Sequence, residues 1–91
     1  MNDDTPVRIP IEGVLDLHTF RPKDVKDLVP EYLEACLAAG IFEVRIIHGK
    51  GTGTLKRIVT SLLEKDPRVE SFGDSDAGAG GWGSTVVRLR H

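Results

Sequence analysis

Two histidines and two glycine-rich stretches are the residues of this chain best suited to chemistry on an anion. His18 follows Asp16 by two positions in Val14-Leu15-Asp16-Leu17-His18, and on an extended strand residues two apart share a face. A carboxylate so placed can orient the imidazole. The plainer alternative is that Asp16 caps the adjacent loop and His18 makes structural hydrogen bonds. His48 opens the run His48-Gly49-Lys50-Gly51-Thr52-Gly53-Thr54-Leu55. Glycines let a backbone approach a ligand closely, Lys50 adds positive charge, and Thr54 is of a type that caps helices. If the loop enters a helix, its unpaired amides and the positive end of the helix dipole favour phosphate. Gly49, Lys50, Gly51, Thr52, Gly53 and Thr54 then form the phosphate-binding segment. The spacing is neither the P-loop pattern nor the dinucleotide fingerprint. The second stretch, Gly80-Gly81-Trp82-Gly83-Ser84-Thr85, holds the only tryptophan. Its indole could stack on a base or fold back over the edge of a small core.

The elements that position these residues follow from apolar spacing. Val14 to His18 reads as a first strand, bounded by Gly13 and by the turn leading to Pro22. Leu28, Val29, Tyr32, Leu33, Cys36 and Leu37 recur every three or four residues, the pattern of an amphipathic helix that Gly40 ends. Pro30 lacks an amide hydrogen and crowds the preceding turn, which predicts a separate turn at 22–25 and a main helix starting near Asp27. Residues 42–48 form a second strand, Leu55 to Leu63 a second helix stopped by Asp66-Pro67, 68–72 a third strand and 85–89 a fourth. Gly73 to Gly83 reads as a flexible loop. Residues 1–12, with Pro6 and Pro10 around Val7, Ile9 and Ile11, read as an extended arm, leaving 13–91 as one domain.

The 91 residues suffice for one small core. At 40% hydrophobic and 29% charged, the composition is that of a folded soluble chain. No apolar run is long enough to cross a bilayer, and the start Met1-Asn2-Asp3-Asp4 is acidic, so no membrane association and a cytoplasmic location are expected. Cys36 is the only cysteine and reads as a core residue, which excludes an internal disulfide or a cysteine-based zinc site. The formal net charge of −2 excludes a broadly basic footprint. Any nucleic-acid contact must be local, with Lys56 and Arg57 beside the glycine loop as its nearest cations.

A βαβαββ order forces the first three strands to run parallel through right-handed crossovers, with the fourth antiparallel to them. Their C-terminal ends then share one edge of a mixed four-stranded sheet, the edge where α/β sheets bind ligands. His18 and His48 close the first and second strands, so both imidazoles, the glycine loop and the turn at Gly81-Trp82-Gly83-Ser84-Thr85 should meet there.

Leu15-Asp16-Leu17-His18, the His48 to Leu55 run and Gly81-Trp82-Gly83-Ser84-Thr85, in this order and spacing, resemble the three successive motifs of the Smr (small MutS-related) domain family. The resemblance covers residue 13 to the C-terminus. One departure is Thr19, where the family usually has glycine. The resemblance implies an α/β fold like that of the C-terminal domain of translation initiation factor three. It also implies DNA or RNA as partner, with nicking or cleavage in some members, and a part in DNA repair or RNA binding.

Two functions follow as expectations. One is an endonuclease in which Asp16, His18 and His48 are catalytic. Lys50 and the 49–54 amides would hold the scissile phosphate, and Lys56, Arg57, Gly81, Trp82, Gly83 and Thr85 the rest of the nucleic acid. A divalent ion, magnesium or manganese, is the cofactor such chemistry could use. The alternative is a non-catalytic module that grips branched or single-stranded DNA or RNA with the same loops. A structural metal held by His18, His48 and Asp16 is a third reading.

Overall fold

A computed structural model describes residues 11–49, 53–74 and 83–90. The elements follow the expected alternation: β1 (Val14–Asp16), α1 (Pro22–Ala38), β2 (Glu43–Ile47), α2 (Thr54–Lys65), β3 (Val69–Asp74) and β4 (Ser84–Leu89). The expected arm falls largely on residues 1–10, which lie outside the described residues.

The sheet order is β1-β2-β4-β3. β1 and β2 pair in parallel, and β4 runs antiparallel to both β2 and β3. Strands β1 to β3 therefore point the same way, as expected, but β4 is inserted between the last two. Both crossovers step in one direction across the sheet, so right-handed connections place both helices on the same face. The helices do pack against each other there. Along each strand the residues turned to the helices are the buried ones: Leu15 and Leu17, Val44 and Ile46, Val69, Val87 and Leu89. They meet Val25, Val29, Leu33 and Cys36 of α1 and Val59 and Leu63 of α2. Among the described residues the other face has no covering element: Val14, Asp16, Arg45 and Arg88 are exposed.

α1 differs from expectation. It is continuous from Pro22 to Ala38 with Pro30 inside it. The Val25, Val29, Tyr32, Leu33 and Cys36 stripe runs unbroken through the proline, and burial of that stripe outweighs one missing backbone hydrogen bond. Pro22 occupies the first turn, where a missing amide costs nothing. The helix ends in a Schellman arrangement: Ile41 N–H donates to the Cys36 carbonyl at 2.8 Å and Gly40 N–H to that of Leu37 at 3.0 Å, with Gly40 at φ +78°.

Tyr32 and Arg68 tie the layers together, and neither role was expected. Tyr32 Oη accepts from Gly13 N–H (3.1 Å) and donates to the Val14 carbonyl (3.0 Å), fastening α1 to the entry of β1. Arg68 forks onto Asp66 (Nε to Oδ1 3.0 Å, Nη2 to Oδ2 2.8 Å) and also donates to the Pro30 carbonyl at 3.2 Å. The turn between α2 and β3 is thereby held to α1. Arg68 hydrogen bonds keep the Asp66 carboxyl below its usual range despite partial burial.

Candidate nucleic-acid interface

The parallel register puts the two histidine-bearing strand ends side by side. Asp16 pairs with Ile47, and Leu17 N–H donates to the Ile47 carbonyl at 2.8 Å, one step past the strand. β4 begins at the same rim, with Ser84 opposite Ile47. β3 ends there, with Asp74 opposite Thr85. Asp16, His18, His48, Gly49, Gly53, Thr54, Gly83 and Thr85 thus converge on one edge. Lys50, Gly51, Thr52, Gly81 and Trp82, the remaining expected members, lie outside the described residues.

The two imidazoles stand in different surroundings. His18 is exposed, and its Nδ1 lies 2.7 Å from Asp16 Oδ1, the oxygen that also accepts the His18 backbone N–H at 3.0 Å. These two bonds hold the Asp16 carboxyl below its usual value, the backbone bond foremost. A carboxylate can only accept from Nδ1–H, so in the neutral ring the lone pair is on Nε2. Among the described residues Nε2 of His18 has no partner. Asp16 therefore does both jobs that the sequence left open: it caps the turn and orients the ring.

His48 is buried, at 5% exposure. Its Nδ1 is 3.1 Å from the Gly49 carbonyl and its Nε2 is 2.9 Å from Thr85 Oγ1. The carbonyl can only accept, so Nδ1 carries a proton; in the neutral ring Nε2 then accepts from the threonine hydroxyl. Both ring nitrogens are engaged, and the side chain joins the end of β2 to the start of β4. The Gly83 carbonyl strengthens that joint by accepting both the His48 and Gly49 amides at 2.9 Å. The two glycines pack so closely that a Cβ on Gly83 would touch Gly49 backbone at 3.6 Å. Neither the Gly49 amide nor the buried Thr85 hydroxyl points to a ligand.

Beside this joint is a cleft of about 330 Å³ lined by Pro22, His48, Gly49, Gly53, Thr54, Leu55 and Lys56. Its walls include the first residues of both helices, so two positive dipole ends border one space. The α2 cap is Gly53, not Thr54. Gly53 sits at φ +86°, makes no side-chain cap bond, and accepts the Arg57 amide at 3.0 Å; Thr54 is the first helical residue. Glycine tolerates that left-handed conformation and a threonine would not.

The expected cations scatter. Lys56 lines the cleft, but its Nζ is 3.0 Å from Asp74 Oδ1 at the end of β3. Arg57 is exposed and lines the groove between the helices. A further cation, Arg88, pairs with Glu43 on the open sheet face at 3.4 Å. Among the described residues no three His, Cys, Asp or Glu side chains gather to hold a metal, so Asp16, His18 and His48 do not form the structural metal site considered above.

The sequence model of the Smr domain matches residues 15–90. The chain belongs to the Smr domain family. The Smr domain of Thermus thermophilus MutS2 superposes with a TM-score of 0.83 at 40% identity, covering 88% of this chain and all of that one. YdaL, a stand-alone small MutS-related protein from Escherichia coli, gives 0.81 at 26% identity, covering 90% of this chain and 67% of YdaL. Among sequences, the endonuclease MutS2 of Levilactobacillus brevis is 45% identical over 80 residues and that of Halalkalibacterium halodurans 47% over 80, each covering 88% of this chain. This Smr domain spans only about 10% of the length of those MutS2 proteins. Among the described residues it has no helix long and apolar enough to cross a membrane.

Proposed function

We propose that this Smr domain binds DNA or RNA at the rim and cleaves a phosphodiester there, as an endonuclease. The observation that carries the reading is the Asp16–His18 pair, with Nδ1 held by the carboxylate at 2.7 Å and Nε2 without a partner among the described residues, at the same sheet edge as a cleft bordered by two helix N-termini. The name endonuclease, borne by the MutS2 proteins of two relatives, supports the same reading.

In this scheme a phosphate seats at the amides that open α2, with Lys50 supplying positive charge. Lys56 exchanges Asp74 for the phosphate. Nε2 of His18 takes a proton from water as the water oxygen bonds to phosphorus. The bond to the leaving oxygen breaks, and that oxygen takes a proton from solvent. Asp16 is a positioning residue that fixes the His18 tautomer. His48 holds the two loops together through Gly49 and Thr85 and touches no substrate. Gly81, Trp82 and Gly83 extend the contact along the strand. The described side chains do not fit a protein-held metal ion, and no step here passes through one; magnesium or manganese would reach the site only with the phosphate.

The test is nicking of supercoiled plasmid and cleavage of RNA, each with divalent ions and with chelator, by wild type, His18→Ala and His48→Ala. The proposal expects His18→Ala to lose about 10²–10⁴ in rate while still binding nucleic acid. Activity undiminished in His18→Ala would rule the assignment out. One observation favours a pure binding module: with both His48 nitrogens engaged, the described rim offers one imidazole for proton transfer, not two. That reading expects salt-sensitive binding, weakened by Lys50→Ala, and no turnover by wild type.

A further inference from the structure

A second surface lies on the helix layer, away from the rim. Where α1 and α2 part on their solvent side they leave a groove of about 470 Å³, lined by Lys26 of α1 and by Arg57, Ile58, Ser61, Leu62 and Lys65 of α2. Ile58 and Leu62 are half-buried: each packs on the core with part of its side chain and leaves the rest as the groove's apolar floor. The three cations form the walls and are exposed. No carboxylate is in the lining. Among the described residues none of the three has an ion-pair partner, whereas Lys56, Arg68 and Arg88 each have a carboxylate of their own.

We infer that this groove docks an acidic amphipathic segment of a partner protein, whose apolar side chains sit on Ile58 and Leu62 and whose carboxylates meet Lys26, Arg57 and Lys65. Charge complementarity selects the occupant, because unneutralised cations surround an apolar strip and only a ligand with both characters satisfies both. A nucleic-acid strand would use the cations but set two aliphatic side chains against a charged backbone, and no aromatic ring lines the groove to stack a base. An amphipathic helix laid in a groove uses apolar anchors at three- and four-residue spacing. From Arg57 to Lys65 the groove runs about 12 Å along α2, enough for roughly two turns of such a helix. This inference does not depend on the rim chemistry.

The test is an amide-shift titration of the full chain with a synthetic helical peptide of about 15 residues, leucine on one face and glutamate on its flanks. The same peptide with lysine for glutamate and a short oligothymidylate serve as comparisons. The glutamate peptide should shift the amides of Lys26, Ile58, Ser61, Leu62 and Lys65. Its affinity should fall roughly tenfold in Lys26→Glu/Lys65→Glu, whose sites are exposed and lie outside the proposed nuclease machinery. Ser61→Trp, which fills the groove without changing charge, should weaken binding similarly. The inference fails if the lysine peptide binds equally well, if the glutamate peptide shifts other amides or none, or if oligothymidylate occupies these positions in its place.

Discussion

Replacing Thr85 by valine removes a single hydroxyl from the buried contact that joins β4 to the end of β2. Thr85 is 2% exposed and His48 5%, and their side chains meet at 2.9 Å. Valine nearly matches threonine in volume, so the loss falls on His48 Nε2, left without a partner where water scarcely reaches. An orphaned buried polar group costs about 1–3 kcal/mol. In a chain of this size each kcal/mol moves the melting midpoint by about 4–8 °C, so Thr85→Val should melt roughly 5–20 °C below wild type. Thr85→Ser keeps the hydroxyl and gives up one methyl group, a loss of only about 1 kcal/mol. Thermal unfolding followed by circular dichroism measures both, and ring ¹⁵N spectra report whether His48 keeps its bonds. A Thr85→Val midpoint within about 2 °C of wild type, with His48 ring signals unchanged, would mean that this contact is not a structural joint.

Three further outcomes are expected. Asp66→Asn should cost about 1–3 kcal/mol at neutral pH by breaking the fork to Arg68. Because the folded Asp66 carboxyl is held below its usual value, its contribution is fully present above an unfolded pKa of about 3.9 and is lost as pH falls through the lower folded value, so urea midpoints of wild type and variant should converge in acid. Gly13→Ala should destabilise more than Gly40→Ala. Both glycines have positive φ, worth about 1–2 kcal/mol against alanine, but only at Gly13 would the new Cβ meet the Glu43 carbonyl at 3.1 Å and Ile41 at 3.3 Å; chemical denaturation gives the order. Asp16→Asn should lower kcat for cleavage roughly a hundredfold with KM little changed, because the ring it orients acts only in the chemical step.

Much of the architecture was legible because burial imposes a period on the residues it covers. The α1 and α2 stripes, the alternation in β4 and the glycine stop after α1 all mark one-sided contact with a single core. Strand direction followed from the crossovers, but the place of β4 between β2 and β3 did not, since no local pattern says which neighbour a returning strand will choose. Pro30 misled because its local cost is plain in the sequence while the packing that offsets it is not. Thr54 drew attention as a cap because of its side chain; the decisive feature was the left-handed backbone that Gly53 permits. At the rim, His48 and Thr85 were both singled out, yet their bond to each other was not foreseen, because it links residues 37 apart. Tyr32 carried a usable signal: a phenol in a buried stripe must find hydrogen-bond partners. Arg68 carried none beyond its proximity to Asp66.

In the proposed function the strand ends bearing Asp16–His18 and His48 and the start of α2 form one surface that receives nucleic acid. Mapping amide shifts of the ¹⁵N-labelled chain on titration with a short single-stranded oligonucleotide at low salt tests it most directly. The largest shifts should fall at His18, Gly49, Gly53, Thr54, Lys56 and Ser84 and fade as salt is raised. Shifts confined to the far end of the sheet, around Asp66, Arg68 and Arg90, with the rim amides unmoved, would contradict it.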